Sequence, residues 1–316
     1  MKVVSSAKLK TEQKENLINN YPDLRFHFFK NIEEASEDLL DADILITYGE
    51  DLTTEIIKKV ECLKWIMVIS AGLDKMPFQI IKKKGILVTN AKGIHKIPMA
   101  EYTIAMILQV ARQAKKVIEN EQSHIWDRRV SMTELSGKTL GILGAGAIGA
   151  QIATYARVFN MKIIGFNRSG RRVEGFDEIV TKETLDKLLM KSDFIVSVLP
   201  STAETVGILN KHTFKLMKKS ATFINIGRGK NVVEEDLIVA LKSGEISHAV
   251  LDVFGQEPLP QEHAFWEMNN VTVTPHISGI SAKYLPRAIE IFETNLKVFL
   301  DGGKDYLNIV DLDKGY

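Results

Sequence analysis

Residues Gly137 to Gly149 read Gly-Lys-Thr-Leu-Gly-Ile-Leu-Gly-Ala-Gly-Ala-Ile-Gly. A β-forming run, Thr139–Leu143, leads into three glycines spaced GxGxxG, namely Gly144, Gly146 and Gly149. An amphipathic stretch, Ala147–Phe159, follows them. Between a strand and a helix each glycine has a mechanical reason. The first permits a tight turn, the second lets backbone approach a pyrophosphate, and the third lets helix pack on strand. The unpaired amides and positive end of the next helix, beginning with Ala147 and Ile148, suit phosphates. The segment predicts a dinucleotide site on a parallel α/β sheet.

The strand–helix alternation extends in both directions. Downstream, strands are expected at Lys162–Phe166, Phe194–Val198, Thr222–Ile226, Ala249–Phe254 and Val271–Thr274. Upstream they are expected at Lys2–Ser5, Arg25–Phe29, Asp43–Thr47, Trp65–Ser70 and Ile86–Thr89, with helices between them such as Thr11–Asn19 and Thr53–Val60. Alternation of this kind implies parallel sheets covered on both faces. Between the two series, Pro98 is expected to open a helix running to about Glu119. Its Met99–Ala111 portion is apolar on nearly every face, which predicts burial all round, between domains or between the subunits of a homodimer. A last helix is expected over Ala282–Leu300, ending at Gly302-Gly303. The fold class is therefore α/β, with two parallel-sheet domains, one flavodoxin-like and one Rossmann-like, and a cleft between them. Domain seams are placed near Ile97–Glu101 and Ser281–Pro286.

Composition narrows the function classes. A chain of 316 residues, 45% hydrophobic and 26% charged, has material for two ordinary cores. Its 41 basic residues nearly balance 40 acidic ones without a long run of either sign, which argues against nucleic-acid or membrane-surface binding. The single cysteine, Cys62, excludes a disulfide within the chain and argues against a Cys-based metal site. It is expected to be a half-buried small hydrophobe. The N-terminus lacks an apolar signal core and no stretch is long enough to span a bilayer, so cytoplasmic residence is the expectation.

Cofactor choice is legible after the second strand of the dinucleotide half. Sites that prefer NAD place an acidic residue there to bond the ribose hydroxyls. This chain reads Ile-Gly-Phe-Asn-Arg-Ser-Gly-Arg-Arg, with Asn167 at that position. No carboxylate stands there to repel a 2′-phosphate, whereas Arg168, Ser169, Arg171 and Arg172 can bind one. The expectation is NADP(H) in preference to NAD(H), with NAD(H) still accepted.

Three strand-end segments carry groups suited to carbonyl reduction. Ile-Asn-Ile-Gly-Arg-Gly presents Arg228; Leu-Asp-Val-Phe-Gly-Gln-Glu-Pro presents Asp252 and Glu257; Val-Thr-Pro-His-Ile-Ser-Gly presents His276. Ligands of open α/β sheets bind outside the carboxyl ends of the strands, the end where all three lie. Together with Val68–Asp74, Met99–Thr103, the glycine fingerprint and Leu199–Thr205, these segments resemble the D-isomer-specific 2-hydroxyacid dehydrogenase family over essentially the whole chain. The basic turn is similar to that of the family's glyoxylate and hydroxypyruvate reductases.

The resemblance implies a set of roles. Arg228 binds the carboxylate and carbonyl oxygen of a small 2-oxo acid. His276 protonates that oxygen as hydride arrives, and Glu257 orients the imidazole and favours its charged form. Backbone amides of Ala71 and Gly72 hold the substrate carboxylate. The cofactor is lined by Leu199, Pro200, Ile226, Gly227, Asp252 and Gly279, in addition to the fingerprint and the Asn167–Ser169 turn. Tyr48–Asp51, Leu73–Met76 and Tyr284 are candidates for contact with the substrate side chain. The last helix completes the N-terminal domain, which gives residues 1–98 plus 285–316 for substrate binding and 99–284 for the dinucleotide. The competing reading is a non-catalytic NAD(P)H-sensing regulator on the same scaffold.

Overall fold

Five short apolar runs build the first sheet: β1 (Lys2–Ser5), β2 (Arg25–Phe28), β3 (Ile44–Thr47), β4 (Trp65–Val68) and β5 (Leu87–Asn90). They belong to a computed structural model that describes residues 1–70, 73 and 75–313. All neighbours are parallel, in the order β2-β1-β3-β4-β5. Every position of β1, β3 and β4 is buried, the pattern of strands covered on both faces. Helices α1 (Thr11–Asn20), α2 (Thr54–Lys59) and α3 (Phe78–Lys83) connect them. Thr53 caps α2 by accepting from the Ile56 amide. The C-terminal helix, Tyr284–Leu300, belongs to the same unit, which comprises Met1–His95 and Ser281–Tyr316. Phe292 and Phe299 of that helix stack on the buried Trp65 at 5.2 and 5.6 Å between ring centres. The indole N–H of Trp65 donates to Thr89 Oγ1 at 2.9 Å. A buried indole thus keeps both its apolar face and its polar handle satisfied.

The second unit, Lys96–Ile280, begins with α4 (Lys96–Ala111) and α5 (Ala114–Gln122). It continues with β6 (Thr139–Leu143), α6 (Ala147–Arg157), β7 (Lys162–Phe166), β8 (Glu178–Val180), α7 (Leu185–Lys191) and β9 (Phe194–Ser197). Then come α8 (Lys211–Leu216), β10 (Thr222–Asn225), α9 (Glu234–Ser243), β11 (His248–Leu251) and β12 (Val271–Val273). Its parallel sheet runs β12-β11-β10-β9-β6-β7-β8. Strand order reverses beside β6, so the turn after β6 lies at the topological switch point, where open α/β sheets bind ligands.

Several boundaries depart from the sequence expectations. The helix expected from Pro98 to Glu119 starts two residues earlier and is broken at Gln113, whose φ is +54°. Pro98 occupies the third helical position, still within the turn whose amides lack helical partners. Within the single chain the Met99–Ala111 stretch buries one face. Ala100, Thr103, Ile104, Ile107 and Ala111 form one face, packed with Ile152, Ala153 and Ala156 of α6, while Glu101 and Ala105 are exposed. Strand β8 was not anticipated, since three residues carry no readable period. Cys62 is exposed and not half-buried, because it sits in the turn between α2 and β4 with Leu63 taking the inward position.

At the head of β11, His248 Nε2 lies 3.1 Å from Thr272 Oγ1. Burial, and secondarily the Lys115 charge, pushes the imidazole down to about 4 from its ordinary 6.5. The unfolded chain therefore takes up this proton first as pH falls. The group's contribution to stability is present above about pH 6.5 and is lost as pH falls through about 4. The thermal midpoint of the native chain should fall more steeply across that window than that of His248→Gln; parallel curves would exclude His248 as the cause.

Candidate active site

The glycine turn is built as its spacing predicts. Gly144 has φ +112°, and a Cβ there would lie 2.9 Å from Val198 Cγ2. A Cβ at Gly149 would lie 2.2 Å from the Gly144 carbonyl oxygen, so helix α6 could not approach β6 with any larger residue. Gly146 differs, because a Cβ there would meet nothing within 4 Å. Open space thus lies in front of the N-cap of α6, and Gly146 has no side chain with which to cap that helix. The first amides of α6, from Ala147 to Gly149, have no partner within the helix and suit a pyrophosphate.

The turn after β7 is organised by its own side chains. Asn167 Nδ2 donates to the Arg171 carbonyl at 2.9 Å, and Ser169 Oγ meets Asn167 Oδ1 at 3.3 Å and the Arg171 amide at 3.3 Å. Arg168, Ser169, Arg171 and Arg172 are all exposed around this closed turn. A basic, preformed rim fits the phosphate end of a dinucleotide.

Two further candidate segments form one wall. Leu199 is buried, and a Cβ at Gly227 would lie 2.7 Å from its carbonyl oxygen, which sets the Ile226–Gly227 turn directly against Leu199–Pro200. Asn231, fully buried, donates to the carbonyls of Leu199 at 2.9 Å and Pro200 at 3.2 Å. Asn225 accepts from the Gly227 amide at 3.2 Å and donates to the Arg228 carbonyl at 3.2 Å. These two asparagines shape the turn that presents Arg228, and neither was singled out from sequence. The repeated Asn within Ile-Asn-Ile-Gly-Arg-Gly-Lys-Asn was the available signal.

Arg228 itself is exposed, with Nη1 donating to the Gly227 carbonyl at 2.9 Å. The next residue, Gly229, is pressed against Phe254, since a Cβ there would lie 1.9 Å from the Phe254 carbonyl carbon. The Arg228 turn therefore touches the segment that leads to Glu257. Glu257 Oε1 accepts from the Phe254 amide at 3.0 Å, and Oε2 lies 2.7 Å from His276 Nδ1. A carboxylate held by backbone and bonded to one ring nitrogen fixes the imidazole plane and leaves Nε2 for another partner. The two side chains are partly open, 52% exposed for His276 and 37% for Glu257, so the pair is reachable from solvent.

His276 carries φ +55°, a left-handed conformation that costs a non-glycine residue roughly 1–3 kcal/mol. Its surroundings enforce the strain. The His276 amide donates to the carbonyls of Asp252 at 2.9 Å and Thr274 at 3.1 Å. The Asp252 side chain is fully buried and accepts from Thr274 Oγ1 at 2.6 Å, the Ile277 amide at 2.8 Å and the Ser278 amide at 2.9 Å. Both of its oxygens are thus engaged by the loop that carries His276. Gly279 is half-buried in the turn after Ser278.

Of the remaining candidates, Ala71, Gly72 and Asp74 lie outside the described residues. Tyr284 donates its hydroxyl to the Ile69 carbonyl at 2.8 Å, and burial pushes this phenol up to about 12. That hydroxyl braces the end of β4. Among the described residues no cluster of three or more His, Cys, Asp or Glu could hold a metal ion, and no helix is long and apolar enough to cross a membrane.

Comparison with known proteins identifies relatives of this chain. Residues 104–278, more than half of the chain, match the model for the NAD binding domain of D-isomer specific 2-hydroxyacid dehydrogenases. A glyoxylate reductase from Thermofilum pendens is 34% identical over 299 residues, covering 89% of this chain and 87% of that protein. The structure of a D-isomer specific 2-hydroxyacid dehydrogenase family protein from Aeromonas salmonicida has a TM-score of 0.87 and 32% identity, covering 99% of each chain. An NADPH-dependent glyoxylate/hydroxypyruvate reductase from Sinorhizobium meliloti, solved with NADP and sulfate, has a TM-score of 0.82 at 28% identity, over 100% of this chain and 99% of that one. On sequence and structure alike, the chain belongs to the D-isomer specific 2-hydroxyacid dehydrogenase family.

Proposed function

We propose that this protein is an NADP(H)-dependent reductase of small 2-oxo acids, interconverting them with the D-2-hydroxy acids. The observation that carries the reading is the 2.7 Å contact between His276 Nδ1 and Glu257 Oε2 in a family fold with a dinucleotide turn. The glycine turn and the first amides of α6 would hold NADPH, which when bound would supply a hydride for the carbonyl carbon. The Arg228 fork binds the substrate carboxylate and draws charge onto the carbonyl oxygen. His276 gives that oxygen the proton on Nε2 and is reprotonated from solvent through its exposed edge. Glu257 holds Nδ1–H and so fixes the plane of the ring and leaves Nε2 for the transfer. One hydride and one proton thus convert the carbonyl to a secondary alcohol, and the reverse reaction uses His276 as base.

The test is consumption of NADPH and NADH by the purified protein with glyoxylate, hydroxypyruvate, pyruvate and longer 2-oxo acids. Rapid NADPH oxidation with one of them is the expected result. Tight NADPH binding without oxidation in any mixture would replace this reading by a cofactor-sensing regulator.

The basic turn carries the cofactor preference. Removing Arg168 and Arg171 together should raise KM for NADPH by more than about tenfold and leave KM for NADH nearly unchanged, since one charge-assisted bond to phosphate contributes about 1.5–3 kcal/mol. Equal losses for both cofactors, or a native enzyme that uses NADH as efficiently as NADPH, would end the assignment.

A further inference from the structure

The Met99–Thr103 segment is not used by the chemistry above, yet it reaches the His276 loop. Tyr102, on α4, places its hydroxyl 2.6 Å from Thr274 Oγ1. Thr274 Oγ1 is in turn 2.6 Å from Asp252 Oδ1, and the same oxygen accepts from the Ile277 amide at 2.8 Å. An ionised carboxylate can only accept, so the single Thr274 hydroxyl hydrogen goes to Asp252 and Tyr102 donates to Thr274. We propose that Tyr102 is a positioning residue for the acid–base loop: through Thr274 and Asp252 it holds His276 in the left-handed conformation that presents its imidazole to Glu257. The proposal rests on the reading of His276 as the acid–base group.

Three observations support a directed relay over simple packing. The Tyr102 ring is half-buried against the core cluster that α4 and α6 share, so the ring has its own place without the hydroxyl. Burial, reinforced by the Asp252 charge, pushes its phenol up to about 12, so it stays a donor over the working pH range. Thr274 is the first residue beyond β12 and His276 follows two residues later, so a shift of Thr274 is transmitted through Pro275 alone to the strained residue. Chains of hydrogen bonds in a low-dielectric interior fix geometry more firmly than their members do singly.

The experiment is a double-mutant cycle on the full chain with Tyr102→Phe and Thr274→Val, and Thr274→Ser as the conservative control. Tyr102→Phe keeps the ring and should lower kcat about tenfold, the loss of one hydrogen bond, with KM for NADPH within about twofold. Thr274→Ser keeps the hydroxyl and should stay near native. In the Thr274→Val background, Tyr102→Phe should cost less than about twofold further, because the link is already cut. Unchanged kcat in Tyr102→Phe, or a loss fully additive to that of Thr274→Val, overturns the proposal. A readout independent of turnover accompanies it: the His276 imidazole resonances, assigned by their disappearance in His276→Asn, should shift and broaden in Tyr102→Phe. If they do not move, the relay is absent. If the native chain oxidises no NADPH yet these resonances respond, the catalytic reading fails and the positioning stands.

Discussion

Replacement of His276 by Asn is expected to lower turnover about 10²–10⁴-fold, the usual contribution of a positioned general acid–base group. Asparagine is the informative choice for two physical reasons. It has a high tolerance for the left-handed conformation that residue 276 adopts at φ +55°, so the loop held by Asp252 keeps its shape. Its amide can also still bond Glu257, so the carboxylate is not left without a partner. What it cannot do is release a proton to a developing alkoxide. The loss should therefore appear in kcat, with NADPH affinity preserved, because the glycine turn and the Asn167–Arg172 rim are separate groups on other strands. Fluorescence titration of NADPH and steady-state kinetics on the same preparation separate the two quantities. Near-native turnover by a folded His276→Asn protein would remove this residue from the mechanism and return the pair to a structural role.

Much of this was legible in the chain itself, and the exceptions share a cause. Strands β1, β6 and β7 run as expected because each is a short β-rich run with a turn at both ends. The strands that end at the site were read too long. Ala249–Phe254 contracts to a strand ending at Leu251, and Val271–Thr274 ends at Val273. At these points periodicity continues, but the backbone leaves the ladder to serve other partners: the Asp252 carbonyl accepts from His276, and the Thr274 hydroxyl turns to Asp252. Sequence patterns report side-chain burial, and a buried loop has the same pattern as a buried strand. The Glu257–His276 contact was anticipated from a family resemblance, since nothing local relates residues nineteen apart. The roles of Asn225 and Asn231 were not anticipated at all. Asn225 ends β10 and Asn231 ends the short turn Gly229–Asn231, and only the folded chain shows that one amide ties the Arg228 turn and the other joins it to Leu199. The break at Gln113 escaped for the same reason, since no glycine or proline announces it.

Arg228→Gln should reduce kcat/KM for a 2-oxo acid about 10²–10³-fold, the scale of losing a donor aimed at developing negative charge. Glutamine keeps one amide donor pair on a shorter stem but loses the charge and the parallel fork that matches a carboxylate. Its backbone setting should survive, because the turn is held by Asn225 and by the close packing of Gly229 on Phe254, and not by the guanidinium. Among the described residues the guanidinium bonds the adjacent Gly227 carbonyl, a contact that a substrate carboxylate can replace without opening the core. Arg228→Lys sharpens the argument. It keeps the charge and loses the planar geometry, so activity intermediate between native and Gln would assign part of the effect to bidentate recognition and part to charge. A loss confined to KM would mean that Arg228 binds the ground state and the transition state equally. A fall in kcat as well would place its bond on the carbonyl oxygen during hydride addition. A folded Arg228→Gln enzyme with kcat/KM within about tenfold of native would contradict both, and would move recognition of the acid to other groups around His276.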